Sequence, residues 1–435
     1  MTAQRGTTKS LGRHASALAA RLLGKRVSRR LPPGDLQSLD VAEKADRRAL
    51  ARRADDLGPV FMGSIRGEAT VCIVGLARCR RFLQENEDVL RVETLDLTGL
   101  FPFGFIRALT GDAHLDYRRR LTRAVRTADS DGTAAEFESL AEAELQRHAA
   151  AVQHDGHRAE TWSATLATIT TSILVRVFFG AKAGSSFHSS LVEGFRDLGP
   201  YGLVWHPEHR QRVAFERLCR EVLAQVDGLA DGSGEMSPTC VTATIALQGE
   251  LDDTMLGNLV YMVEMGRSDL HNLLRWISRY VASDPALCGA IASGAGETAV
   301  RPPEESLLLE VLRADQSERL ERRVAADVEF EGFHIPAGTP VRLCMWESHH
   351  DPAVFTDPFT FRPERFAHDS PTNEQFAPFG LDHHQCPFGT LTMRIGTGFA
   401  RALCRHRLTL LADGPPRRGA YHWEPSRRLS IEIRP

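Results

Sequence analysis

Two short, mostly apolar runs over residues 60–65 and 69–74 lie on either side of Arg66-Gly67-Glu68, which predicts a β-hairpin. Residues 76–84 then take up a helical spacing. Residues 94–111, which include Phe101-Pro102-Phe103-Gly104-Phe105, form a glycine-rich and aromatic stretch unsuited to regular structure. Most of the next two hundred residues read as helix, in outline 113–127, 134–153, 159–180, 207–229 and 251–283. Breaks fall at Leu198-Gly199-Pro200-Tyr201-Gly202-Leu203-Val204-Trp205-His206-Pro207 and at Asp231-Gly232-Ser233-Gly234. Apolar residues recur at helical spacing over 304–314, and 328–341 reads as a strand, a turn and a second strand. A last helical run opens at Pro387 and extends to near Leu411. No internal repeat is present. The expected class is mainly α with small β-sheets towards both ends.

Composition narrows this picture. The 435 residues can bury a large single core. A net charge of −3 gives no reason to invoke nucleic acid. Eight cysteines without zinc-like spacing suit reduced thiols in a cytoplasmic protein. No run reaches the roughly 18 apolar residues of a membrane span. Residues 1–30 carry eight Lys or Arg and no acid, and Leu31-Pro32-Pro33-Gly34 marks a boundary after them. The expected organisation is a basic, disordered extension over 1–33 and one domain over 34–435.

The chemistry concentrates in Phe379-Gly380-Leu381-Asp382-His383-His384-Gln385-Cys386-Pro387-Phe388-Gly389. A Phe-Gly turn delivers one cysteine to the start of a helix, where free N–H groups and the helix dipole favour a thiolate. Such a thiolate suits a metal and is one of the known axial ligands of haem. The spacing resembles the haem-binding loop of the cytochromes P450, Phe-Gly-x-Gly-x-(Arg/His)-x-Cys-x-Gly. Phe379, Gly380, His384 and Cys386 match it. Asp382 replaces the second glycine, and Phe388 stands where the last belongs, with Gly389 one place late. Three further blocks keep the family's order: Glu310-Val311-Leu312-Arg313, His350-Asp351-Pro352-Ala353-Val354-Phe355 and Phe361-Arg362-Pro363-Glu364-Arg365-Phe366. Neither His383-His384 with Cys386 nor His349-His350 has further ligands at zinc spacing.

The resemblance implies the P450 fold and haem b, with Cys386 as iron ligand. It implies that His114, Arg118, Arg323 and His384 hold the haem propionates, since buried carboxylates require charge-assisted hydrogen bonds. Pocket walls are expected from 94–111, 198–207 and the helix around Gly266. That distal helix departs from the family's Ala-Gly-x-(Asp/Glu)-Thr. Aligned on Gly266, it reads Met265-Gly266-Arg267-Ser268-Asp269, so the acid–alcohol relay is either swapped or absent. Arg267 would bring a cation near the pocket, paired with Glu264, with Asp269 or with a substrate carboxylate, or else turned away. Pro387 removes one N–H donor from the sulfur, and Phe388 must be accommodated beside the haem or turned from it.

The activity implied is a haem-thiolate monooxygenase. It would oxidise a small organic substrate, with electrons from a ferredoxin, in a tailoring step of specialised metabolism. Two alternatives stand beside it: a haem-thiolate peroxygenase, decarboxylase, dehydratase or rearrangement enzyme, and a non-catalytic auxiliary protein for a partner enzyme.

Overall fold

The structure, a computed structural model, describes residues 30–93, 104–109, 111–129, 131–155, 159–199, 208–294, 300–315, 320–368, 370–381, 383, 385–419 and 423–434. The N-terminal part runs β1 (Gly34–Ser38), α1 (Leu39–Ala45), α2 (Ala49–Leu57), β2 (Val60–Ile65), β3 (Glu68–Val74), α3 (Leu76–Glu85) and β4 (Leu90–Val92). The helical part comes next: α4 (Gly111–Ala128), α5 (Asp131–Asp155), α6 (Ala159–Phe179), α7 (Ser186–Leu198), α8 (His209–Asp227), α9 (Val241–Ala246), α10 (Asp253–Ser283), α11 (Pro285–Ser293) and α12 (Pro303–Ala314). Then come β5 (Leu320–Val324), β6 (Val328–Phe330), β7 (Phe333–Ile335), β8 (Pro340–Cys344), α13 (Met345–Ser348), α14 (Arg365–His368) and α15 (Gly389–Cys404). The chain closes with β9 (Arg407–Ala412), β10 (Arg417–Arg418), β11 (Trp423–Glu424) and β12 (Ser430–Arg434).

The predicted hairpin is β2–β3, antiparallel and joined by Arg66 and Gly67 at φ 53° and 82°. Two successive positive φ values are the two-residue turn whose twist matches the strands it joins. A six-stranded sheet runs β1-β2-β3-β8-β5-β4, so strands from residues 34–92 and 320–344 meet in it. The strand–turn–strand reading of 328–341 resolves into β6 and β7, which pair with each other, and β8, which leaves to lie parallel to β3. Arg30 and Pro33 already belong to this body: their carbonyls accept from His334 at 2.8 Å and Met62 at 2.7 Å.

The helical core is organised around α10, which is buried along most of its length and opened by an Asp252 side chain that caps the Met255 N–H. Thr161–Phe179 within α6 is apolar enough to cross a membrane, with a mean hydropathy of 1.4, yet 67% of it lies buried against the fold. Its apolarity is that of a core helix wedged beside α10. The final helix is shorter than its pattern suggested. α15 ends at Cys404, and Leu408 and Leu410 then face inward in alternation along β9, which pairs with β12. Over so short a run, a period of two mimics the continuation of a period of 3.6.

Candidate functional site

A cavity of about 330 Å³ opens between α4, α6, α10, β5 and the loop that precedes α15. Cys386 reaches it from below and α10 crosses it from above. The Cys loop is held by backbone and histidine. The Cys386 N–H donates to the Phe379 carbonyl at 2.7 Å, and Gly380 takes a φ of 93° that favours glycine. His349 Nε2 accepts from the Ala377 N–H at 3.0 Å. Burial, with the Arg313 guanidinium nearby, pushes His349 down to about 3, so this ring is neutral and acts as an acceptor. His350 is likewise held neutral by burial, and its Nδ1 lies 2.7 Å from the Trp346 carbonyl.

Beneath this lies a fully buried ion pair. Arg313 donates to Glu310 at 2.7 and 2.8 Å, and to the carbonyls of His349 at 3.0 Å and Pro358 at 2.8 Å. Arg365 adds a third arm to Glu310 at 3.1 Å. The blocks at 310–313 and 361–366 thus form one network, which ties α12 to the meander preceding the Cys loop. A buried guanidinium with every arm engaged is rigid, because losing one arm would strand a charge in an apolar core.

The departures in the Cys loop find their reasons. A Cβ on Gly389 would lie 3.0 Å from the Phe379 ring, so the glycine that comes one place late lets α15 start against that ring. Phe388 turns onto Phe178 of α6, ring centroids 4.8 Å apart, and both rings line the cavity. Its side chain is therefore housed inside the site.

Four basic side chains line the cavity: Arg107, His114, Arg118 and Arg322. His114 and Arg118 share one face of α4, as their spacing requires. Burial and the adjacent Arg118 hold the His114 imidazole below its ordinary range. Arg118 donates to the Gln385 carbonyl, next to the cysteine. The expectation for Arg323 moves by one residue. Side chains alternate along β5, so Leu320, Arg322 and Val324 face inward while Arg323 faces out. Arg323 binds Glu68 at 2.6 Å and Glu93 at 2.9 Å, whereas Arg322 is 5% exposed and lines the cavity. The alternation Leu-Glu-Arg-Arg-Val carried that signal. His384 lies outside the described residues, as do 94–103 and 200–207.

On α10 the cavity face carries Met262, Met265, Gly266, Asp269 and Leu270. Each residue turns a helix by about 100°, so Asp269 returns to within about 60° of Gly266 while Arg267 and Ser268 rotate away. Ser268 does not line the cavity. Arg267 points behind α10, bound to Glu264 at 2.6 Å, to the Phe195 carbonyl at 2.7 Å and to the Gly199 carbonyl at 3.4 Å. Of the partners open to Arg267, the structure selects Glu264, joined by two carbonyls at the end of α7, and the cation does not line the cavity. Burial raises Glu264 to about 7 despite this partner.

The family profile described as Cytochrome P450 matches residues 305–411, the part that holds the Glu310–Arg313 pair and Cys386. The retinoic acid bound cyanobacterial CYP120A1 superposes with a TM-score of 0.69 over 94% of this chain and 100% of that one, at 20% identity. Residues 305–411 thus match the cytochrome P450 family, and the chain takes the fold of P450 structures. A P450 structure holding (R)-ibuprophen, CYP152B1, superposes with a TM-score of 0.71 at 19% identity, covering 92% of this chain and 99% of that one. Abscisic acid 8'-hydroxylase 2 of Oryza sativa subsp. indica is 26% identical over 310 residues, 64% of this chain. That match spans 60% of the relative's own length.

P450s carry haem with a cysteine thiolate on the iron, and the donor set here fits that group. One cysteine opens on an apolar cavity, basic side chains flank it, and a glycine-bearing helix crosses opposite. Among the described residues no cluster of three or more His, Cys, Asp or Glu offers a separate metal site.

Proposed function

We propose that this protein is a haem-thiolate oxidoreductase that inserts oxygen into a small apolar organic acid, with Cys386 as the iron ligand. The observation that carries this reading is the opening of Cys386 on an apolar cavity flanked by His114, Arg118 and Arg322 and crossed by the Gly266–Asp269 face of α10. Bound haem supplies the redox and oxygen-activating chemistry. The chain supplies the rest. Arg118 and Arg322, with His114 and His384, hold the propionates; Gly266 leaves room for ligand against the helix backbone. Asp269, in the place of the family's alcohol, presents a carboxylate at which a proton can be held. Arg267 and Ser268 take no part at the cavity.

Support for an organic acid comes from the comparisons: abscisic acid, retinoic acid and (R)-ibuprophen are each an apolar body bearing a carboxylic acid. A ferredoxin as electron donor is supported by the outer face of α4, where Arg119, Arg123 and Arg126 sit beside Arg118, close to the Cys loop. Eight cysteines, none of them in a disulfide among the described residues, agree with a reducing, cytoplasmic setting. A tailoring step in specialised metabolism remains part of the same reading. The second reading, use of peroxide, is favoured by the missing acid–alcohol pair.

The test incubates the haem-loaded protein with an apolar acid under two regimes: ferredoxin, its reductase and oxygen, or hydrogen peroxide alone. Mass spectrometry should find a product one oxygen heavier in the first regime and little in the second. Product formed with peroxide only would favour the peroxygenase. Absence of product in both, from protein that holds haem, would sink the enzymatic proposal.

A further inference from the structure

The short turn Ile106–Ala108 is fixed to α10 by a buried asparagine. Asn258 Oδ1 accepts from the Ile106 N–H at 3.0 Å, while its Nδ2 donates to the Gly104 carbonyl at 3.0 Å and to the Thr254 carbonyl at 2.7 Å. Phe105 then meets Tyr261 edge to face, centroids 5.4 Å apart. The turn is thus a built part of the wall, and Phe105, Ile106 and Arg107 all line the cavity.

We propose that Arg107 is the anion subsite of this cavity and selects substrates that carry a carboxylate on an extended apolar body. The proposal rests on the haem-thiolate reading above and adds the part of the substrate that is recognised. The first argument is charge. Two propionates would enter with haem, and Arg118 of α4, Arg322 of β5 and His114 would hold them. Arg107 is a further cation, on a separate element anchored to the distal helix. A carboxylate entering an apolar cavity requires a charged, hydrogen-bonding partner, and a guanidinium meets both oxygens at once.

The second argument is spacing. From Asn258, which holds the turn, to Gly266 is eight residues, or about 12 Å along the helix. Asp269, the one carboxylate among the described lining residues, lies about 16 Å from Asn258 on the same measure. An acid anchored at Arg107 therefore extends its apolar body past Met262 and Met265 towards Gly266, and keeps its own charge at the far end from Asp269. The reverse orientation would set two carboxylates against each other.

The test uses haem-loaded protein with decanoate, whose extended length suits this span, beside methyl decanoate and decyltrimethylammonium. Binding is measured by calorimetry, and haem content by the pyridine haemochrome. The wild type should prefer decanoate to both controls by about tenfold or more. Arg107→Gln should remove that preference, leave methyl decanoate within about threefold and leave haem content unchanged; Arg107→Lys should keep part of it. Equal binding of acid and ester by the wild type, or a preference for the ammonium, overturns the assignment. So does an Arg107→Gln protein that sheds haem, since Arg107 would then belong to the propionates. A wild type that binds decanoate selectively yet lacks haem would refute the haem-thiolate reading and leave the subsite standing.

Discussion

Replacing Arg267 by Met removes a side chain that sits beside the cavity-lining glycine yet works on the opposite face of α10. Arg267 is 5% exposed and Glu264 1% exposed, so this is a desolvated ion pair. The substitution deletes the charge-assisted bond to Glu264 and leaves the Phe195 carbonyl, an end carbonyl of α7, without its donor. The stranded carbonyl costs about 1–3 kcal/mol. Glu264 left alone is less costly than most buried carboxylates, since its pKa of about 7 lets it take up a proton. The whole loss should be about 3 kcal/mol, at the low end of the range for breaking one side of a buried pair. Urea unfolding followed by far-UV dichroism measures it, and hydrogen exchange should show Leu198 and Gly199 losing protection first. A loss below about 1 kcal/mol with unchanged exchange would refute the clamp.

The remaining predictions concern neighbouring groups. Glu264→Gln should cost less than Arg267→Met and flatten the pH profile of stability. The folded state holds the Glu264 proton more tightly than the unfolded chain, so this group's contribution is full below the unfolded value near 4.5 and is lost as pH rises through about 7, by about 3 kcal/mol in all; an unchanged slope in denaturation at pH 5 and 8 would contradict it. Arg322→Gln should lower haem retention against apomyoglobin several-fold, whereas Arg323→Gln should leave retention unchanged and cost about 1 kcal/mol or less of stability. Phe388→Ala should cost about 2 kcal/mol through the lost packing on Phe178 and admit bulkier ligands; unchanged stability would mean that the ring pair is idle.

Much of the site was legible because its chemistry is local in sequence. Cys386 and its turn, the Glu310–Arg313 pair, the block that contains Arg365, and the spacing of His114 and Arg118 all lie within short segments. The β2–β3 hairpin and the main helices come from periodicity and turn residues. Where expectation and structure part, the deciding partner is distant or the period is ambiguous. Arg323 and Arg322 cannot be told apart by charge, only by which face of β5 meets the core. Glu264 could be read as a partner of Arg267 from its i−3 spacing, but two further acceptors lie at the end of α7, about seventy residues earlier, and no local pattern names them. A helical wheel drawn from Gly266 turns Arg267 away and keeps Asp269. Asn258 passes for an ordinary helix residue until the turn at Gly104–Ala108 is seen resting on it. Beyond Cys404, the alternation of Leu408 and Leu410 is hidden by the apolar run that precedes it.

The central claim is that Cys386 holds the haem iron as a thiolate. The spectrum of the reduced, carbon-monoxide-bound protein tests it most directly, recorded beside Cys386→Ser. A thiolate-type Soret band in the wild type, absent from the variant, is the predicted result. A colourless wild type, a band of the histidine- or thiol-ligated kind, or a thiolate band that survives in Cys386→Ser would contradict it.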